Sequence, residues 1–94
     1  MKIGVIDIET TEFFEKGGLI VEVGIAQLDL NDGSVTEVYG SVCRESGMSA
    51  KDRTAWIFSN SDLTIEKVRS APDFSEIKDE IQKHIHSFDA VMAH

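Results

Sequence analysis

Two carboxylates separated by a single residue, Asp7 and Glu9, stand inside the apolar stretch IGVIDIETTEFF near the start of the chain. An ionised carboxylate taken out of water without a partner costs several kcal/mol or shifts its pKa until it is neutral. Two side by side compound that cost unless a cation sits between them. Side chains alternate between faces along a strand, so Asp7 and Glu9 share a face with Ile3 and Val5, while Ile6 and Ile8 point the other way. Both acids then lie at the C-terminal end of the strand, within reach of one or two hard cations. Mg²⁺ and Mn²⁺ favour such oxygen ligands, and two ions roughly 3.5 to 4 Å apart are the usual device for in-line attack on a phosphodiester. The bland alternative is a solvated strand end in an acid-rich chain. Against it, this is the only acid-x-acid pair in the sequence, and it lies in the most apolar strand candidate.

The elements that must hold these acids follow from periodicity. Residues 2 to 8 form a continuous apolar run broken only by Gly4 and Asp7, which predicts a central strand, the best buried of the chain and covered on both faces. Residues 19 to 30, LIVEVGIAQLDL, predict a second strand. NDG at 31 to 33 predicts a hairpin with Gly33 at positive φ, and SVTEVYGSVC alternates as a third, antiparallel strand. Residues 44 to 62, around AWIF, read as an irregular connection with at most a short helical turn. Leu63 to Arg69 predicts a brief helix ending before Pro72. Asp73 opens the clearest helix, with Phe74, Ile77, Ile81, Ile85 and Phe88 at helical spacing and Glu76 completing a capping-box pattern. Ser75, Lys78, Asp79, Gln82 and Lys83 fall outside that apolar face. DAVMAH then begins a strand expected beside the first. The whole predicts an α/β arrangement of a three-stranded antiparallel meander, a helix and the start of a parallel strand. A central strand apolar on both faces needs cover on both, yet the chain supplies only one strong helix.

Composition bounds the rest. At 94 residues, with 41% hydrophobic and 28% charged, the chain is one domain at most, burying roughly 60 to 65% of its extended surface. A net charge of −8, from 9 Lys and Arg against 17 Asp and Glu, argues against holding nucleic acid by counterion release from a basic face. If the substrate is a polyanion, metal ions must offset much of the repulsion. Arg44 with Lys51 and Arg53, and Lys78 with Lys83, are only loose basic groupings. Cys43, the single cysteine, is most simply a buried thiol. No apolar run approaches the roughly 18 residues of a membrane span, and the N-terminus meets acid before any signal-peptide core could form, so no membrane partner and a soluble, cytoplasmic protein are expected.

VIDIETT, then LIVEVGIAQLDL, then LTIEKVRSAPDFSEIKDEIQKHI and AVMAH, taken in that order, resemble the DEDD-type 3′ to 5′ exonucleases, the group of the proofreading epsilon subunit of bacterial DNA polymerase III. The resemblance spans nearly the whole chain. It implies a ribonuclease H-like exonuclease fold and a hydrolase that uses four acids on two divalent metals, Mg²⁺ or Mn²⁺, to release nucleoside monophosphates. The implied partner is a single-stranded or frayed nucleic acid 3′ end, with DNA and RNA both open. By this resemblance Asp7 and Glu9 are catalytic metal ligands, Thr10 and Thr11 cradle the terminal nucleotide, and Phe13 packs against the last base. A plain core anchor beside Phe14 is the alternative for Phe13. Glu12 stands where the family usually has glycine. Glu22 matches a family position and reads as a buried carboxylate bonded to backbone or a hydroxyl rather than as a ligand. The family's second motif, H-N-x-x-F-D, would begin at His94. The resemblance therefore implies that residues 1 to 94 are a single partial exonuclease domain, truncated inside that motif. Such a piece lacks two of the four acids and the general base, and is inactive or nearly so alone. His84 and His86 read as an edge and a solvated position.

A different class of function stays open: a non-catalytic acidic interaction or dimerisation module of the same fold. An uncovered sheet face and an edge at AVMA would suit a homodimer or a domain swap.

Overall fold

The computed structural model describes residues 1–46, 48, 52 and 54–93; the sequence readings for Lys51, Arg53 and His94 lie outside them. Four strands, β1 (Lys2–Thr10), β2 (Ile20–Asp29), β3 (Val35–Val42) and β4 (Ala90–Ala93), form one sheet in the order β3-β2-β1-β4. β1 pairs antiparallel with β2, placing Asp7 opposite Gly24 and Glu9 opposite Glu22; β2 pairs antiparallel with β3, and β4 joins β1 in parallel. The predicted meander and parallel fourth strand are both present. At the β2–β3 turn Gly33 has φ 73°, its N–H donates to the Asp29 carbonyl at 2.7 Å, and Asp32 accepts from the Ser34 N–H. A positive φ of that size costs glycine little, which is why NDG marks the reversal.

Among the described residues three helices lie between β3 and β4: α1 (Trp56–Asn60), α2 (Ile65–Arg69) and α3 (Phe74–His86). Thr64 caps α2 by accepting from the Lys67 N–H, and Asp73 caps α3 by accepting from the Ser75 N–H at 3.0 Å and the Ser75 hydroxyl at 2.8 Å. The α3 cap thus works through Ser75, with a carboxylate at the positive end of the helix dipole. The five apolar positions read from the α3 sequence all join one core cluster with Val23, Ile25, Cys43, Ile6 and Ile8, and the five polar ones are exposed. A second cluster joins Val21 to Ile57, Leu63 and Val68 of the α1–α2 segment.

The best-buried strand is β2, not β1. Val21, Val23 and Ile25 are 0–2% exposed, whereas Gly4 is the one buried residue of β1. The reason is geometric: the alternate residues of β2, with Ile6 and Ile8 of β1, meet all three helices on a single face. Among the described residues the hollows on the face bearing Asp7 and Glu9 are lined by strand residues alone, so no described helix covers β1 on that side. Gly4 is small for a reason, because a Cβ there would run into the ring of Phe88, which closes the end of α3 against β1. Among the described residues no helix is long and apolar enough to cross a membrane.

Candidate functional site

β1 delivers its two acids to the open face at its C-terminal half. Asp7 is exposed and Glu9 half-buried, and both line a hollow of about 400 Å³ with Glu22, Gly24, Glu37 and Ser41. Desolvation was the first puzzle this pair posed. The structure removes most of it, because water reaches Asp7 directly. Repulsion remains. Glu9 and Glu22 are register partners on neighbouring strands, where like charges destabilise a pair. Partial burial, then the charges of Glu9 and Asp7, hold the Glu22 carboxyl above its ordinary range, with Glu37 adding to the rise and Lys67 opposing it. Glu22 is therefore not the buried, backbone-bonded carboxylate expected from the sequence. It lines the acid hollow at intermediate burial. Strand pairing is the cause, since facing Glu9 across the sheet puts Glu22 on the open side.

Can this set hold a metal? Its donors are hard oxygens and their mutual repulsion is what a cation relieves, so the chemistry fits Mg²⁺ or Mn²⁺. Among the described residues, however, no group of three His, Cys, Asp or Glu side chains converges closely enough to form a complete binding site. Asp7 and Glu9 could supply part of a ligand set, with the remaining positions left to water, substrate or other acids.

After Glu9 the register with β2 slips, and the chain turns into a second hollow of about 540 Å³. Thr10, Thr11 and Phe13 line it, opposite Asp52, Ala55 and Trp56. Thr11 is only 7% exposed and is the pin of the loop. Its N–H donates to the Leu19 carbonyl at 2.9 Å, its hydroxyl accepts from the Leu19 N–H at 3.0 Å, and that hydroxyl donates to Asp52 at 3.3 Å. Thr11 thus shapes the wall of the cleft with its hydroxyl already engaged. The following turn, a 3-10 helix at Phe14–Lys16, is closed by Lys16 and Gly18 N–H groups donating to the Phe13 carbonyl. That turn leaves Phe13 64% and Phe14 59% exposed, which overturns the core-anchor reading of Phe13. The Lys16 ammonium lies 5.7 Å from the Phe13 ring centroid, over its face.

The sequence reading missed Trp56, Asp52 and Glu37. Trp56, 70% exposed, faces the cleft because its neighbour Ile57 takes the core position of that short helix. The signal was the single tryptophan of the chain in a segment too polar to bury it. Glu37 joins the acid hollow because β3 has a bulge opposite Ile25/Ala26, which simple alternation does not reveal. His84 and His86 behave as read: His86 is exposed, and His84 is half-buried beside Tyr39, 3.5 Å from Glu80. Cys43 is fully buried, and desolvation pushes its thiol up to about 11.

Neither a protein-family profile nor a curated protein sequence matches the chain. Solved structures do. One described as the crystal structure of a full-length 3′-exonuclease aligns with TM-score 0.75 at 15% identity, over 98% of this chain and 33% of its own. The nuclease domain of 3′hExo, a DEDDh family member bound to rAMP, aligns with TM-score 0.75 at 14% identity, over 98% of this chain and 50% of its own. The chain thus spans a third to a half of the length of these structures. The likeness is one of architecture: the mixed α/β sheet and its helices have the ribonuclease H-like fold of nuclease domains.

Proposed function

We propose that this chain carries the metal-binding and nucleotide-seating part of a 3′ to 5′ exonuclease domain. Asp7 and Glu9 hold Mg²⁺ or Mn²⁺, while Thr10, Thr11 and Phe13, joined by Trp56, seat the terminal nucleotide of a single-stranded or frayed 3′ end. The observation that carries this reading is the junction at Glu9/Thr10. There, on one strand of a nuclease-like fold, two open-face acids pass directly into a cleft walled by exposed aromatic rings. Aromatic faces stack bases at roughly 1 to 3 kcal/mol each, and carboxylates at that junction reach the phosphate side of a stacked nucleotide through a cation. A bound divalent ion would supply Lewis-acid charge compensation and a more acidic water. Two of the family's four acids and its general base have no counterpart among these residues, so binding without efficient turnover is the expected behaviour of the chain alone.

The test is calorimetric titration of the 94-residue chain with Mn²⁺ and then with AMP. Expected are Mn²⁺ binding that is lost in Asp7→Asn/Glu9→Gln, and AMP binding that Mn²⁺ strengthens and Trp56→Ala weakens. Mn²⁺ affinity unchanged in the double variant would sink the assignment of the acids.

A second reading is favoured by one observation. β4 is an edge strand whose four residues are all exposed, with Val91 at 43% and Met92 at 54%. An apolar edge of this kind pairs readily with another chain, as in a homodimer or domain swap. Sedimentation showing assembly that grows with concentration and ignores Mn²⁺ would favour that module; a monomer that binds Mn²⁺ favours the nuclease site.

A further inference from the structure

The aromatic cleft has walls from two distant parts of the chain. One is the end of β1 with the turn after it, and the other is the start of α1. By itself α1 is poorly equipped to place Trp56. It has five residues, well short of the roughly 12 to 15 at which an isolated helix becomes even marginal in water. Its N-cap residue, Ala55, has no side-chain oxygen to accept from the first turn. Ile57 anchors the helix in the core cluster with Val21, Leu63 and Val68, but Trp56 is 70% exposed and gains little hold from packing.

A relay of hydrogen bonds steadies that first turn from the opposite wall. The Phe58 N–H donates to the Ala55 carbonyl at 3.1 Å, the Ala55 N–H donates to the Asp52 carbonyl at 3.1 Å, and the Asp52 carboxylate accepts from the Thr11 hydroxyl at 3.3 Å. Thr11 is itself fixed, 7% exposed and bonded through both its N–H and its hydroxyl to the Leu19 backbone. A hydroxyl has a single proton to give. Here that proton goes to Asp52 while a lone pair takes the Leu19 N–H, so a ligand could receive a hydrogen bond from Thr11 only by displacing Asp52. We infer that Thr11 is a positioning residue: through Asp52 it holds Trp56 in the wall of the cleft opposite Phe13. The tether stands on these hydrogen bonds; its consequence for binding, that Thr11 acts on the nucleotide by way of Trp56, rests on the nucleotide cleft proposed above.

Trp56 is the only tryptophan, so time-resolved fluorescence anisotropy of the 94-residue chain reads its local motion directly. Thr11→Val keeps the side chain's shape, loses the hydroxyl and increases the amplitude of fast depolarisation; Thr11→Ser, which keeps the hydroxyl, does not. Asp52→Ala reproduces the increase, and adding Thr11→Val to it moves the Trp56 signal no further. By calorimetry with Mn²⁺ present, Thr11→Val lowers AMP affinity about tenfold and Thr11→Ser restores most of it. In a Trp56→Ala background, the valine substitution leaves AMP affinity where it was. Trp56 motion identical to the parent in a folded Thr11→Val variant overturns the tether. So does an AMP loss that persists in the Trp56→Ala background, because Thr11 then touches the nucleotide itself. If Thr11→Val misfolds by circular dichroism, Asp52→Ala against the parent carries the test, with Asp52→Asn, whose amide oxygen still accepts, as the rescue. A parent chain that binds no AMP while Trp56 motion still follows Thr11 and Asp52 supports the tether and counts against the nucleotide cleft alone.

Discussion

The two faces of this sheet are built on opposite plans from the same strands. On one face Val21, Val23 and Ile25 meet three helices and are almost wholly removed from water. On the other, Asp7, Glu9, Glu22 and Glu37 line hollows that no described helix closes. The first face spends its residues on burial, worth roughly 25 cal/mol per Å² of apolar surface. The second keeps like charges together at a cost to stability, which is the pattern expected where function rather than folding selects the residues. Packing and charge are thus separated by the alternation of a single strand: Ile6 and Ile8 join the core, while Asp7 and Glu9 line the open hollow.

That division predicts unequal consequences for substitutions one residue apart in the sheet. Ile25→Ala removes a fully buried side chain from the helix-covered face and should cost about 2 to 5 kcal/mol by urea unfolding. Gly4→Ala should come next, at about 1 to 3 kcal/mol, because the added methyl meets the Phe88 ring. Pairing it with Phe88→Leu should recover part of the loss, which distinguishes ring contact from a general dislike of side chains at that strand position. If Ile25→Ala and Asp7→Asn cost the same, the two-face account is broken.

How far the sequence alone reached follows the same division. The helix-covered face was legible because burial writes a period: Phe74, Ile77, Ile81, Ile85 and Phe88 were all read correctly as one packed stripe. The hairpin was legible because its turn chemistry is local to Gly33. Misreading β1 as the best-buried strand came from equating apolar composition with burial. Val5 and Ile3 lie, only half-buried, on the face that no described helix covers, and only tertiary placement of the helices shows it. Asp7 and Glu9 announced themselves by contrast with their strand. Trp56, Glu37 and Asp52 did not, since a short helix, a bulge and a long-range bond to Thr11 bring them to the site, and none of these leaves a periodic trace.

The smallest expected effect is the sharpest test of the acid face. Glu22 has its folded pKa raised above the ordinary 4.5, by partial burial first and then by Glu9 and Asp7. A carboxyl whose folded pKa is raised binds its proton more tightly in the native state than in the unfolded chain. Native protein then holds more protons through the window that opens at the ordinary carboxylate pKa and closes above the raised one, so stability falls as pH rises across it. Glu22→Gln removes that titration and the repulsion together. At neutral pH the variant should be modestly more stable than the parent, and the advantage should shrink as both are taken below the ordinary carboxylate range. Mn²⁺ should narrow the same gap by compensating Glu9 and Asp7, so thermal melts with and without the ion at pH 7 separate charge relief from packing. A Glu22→Gln variant that is less stable than the parent at neutral pH would mean that Glu22 holds the sheet together, and the open face would then be structural rather than functional.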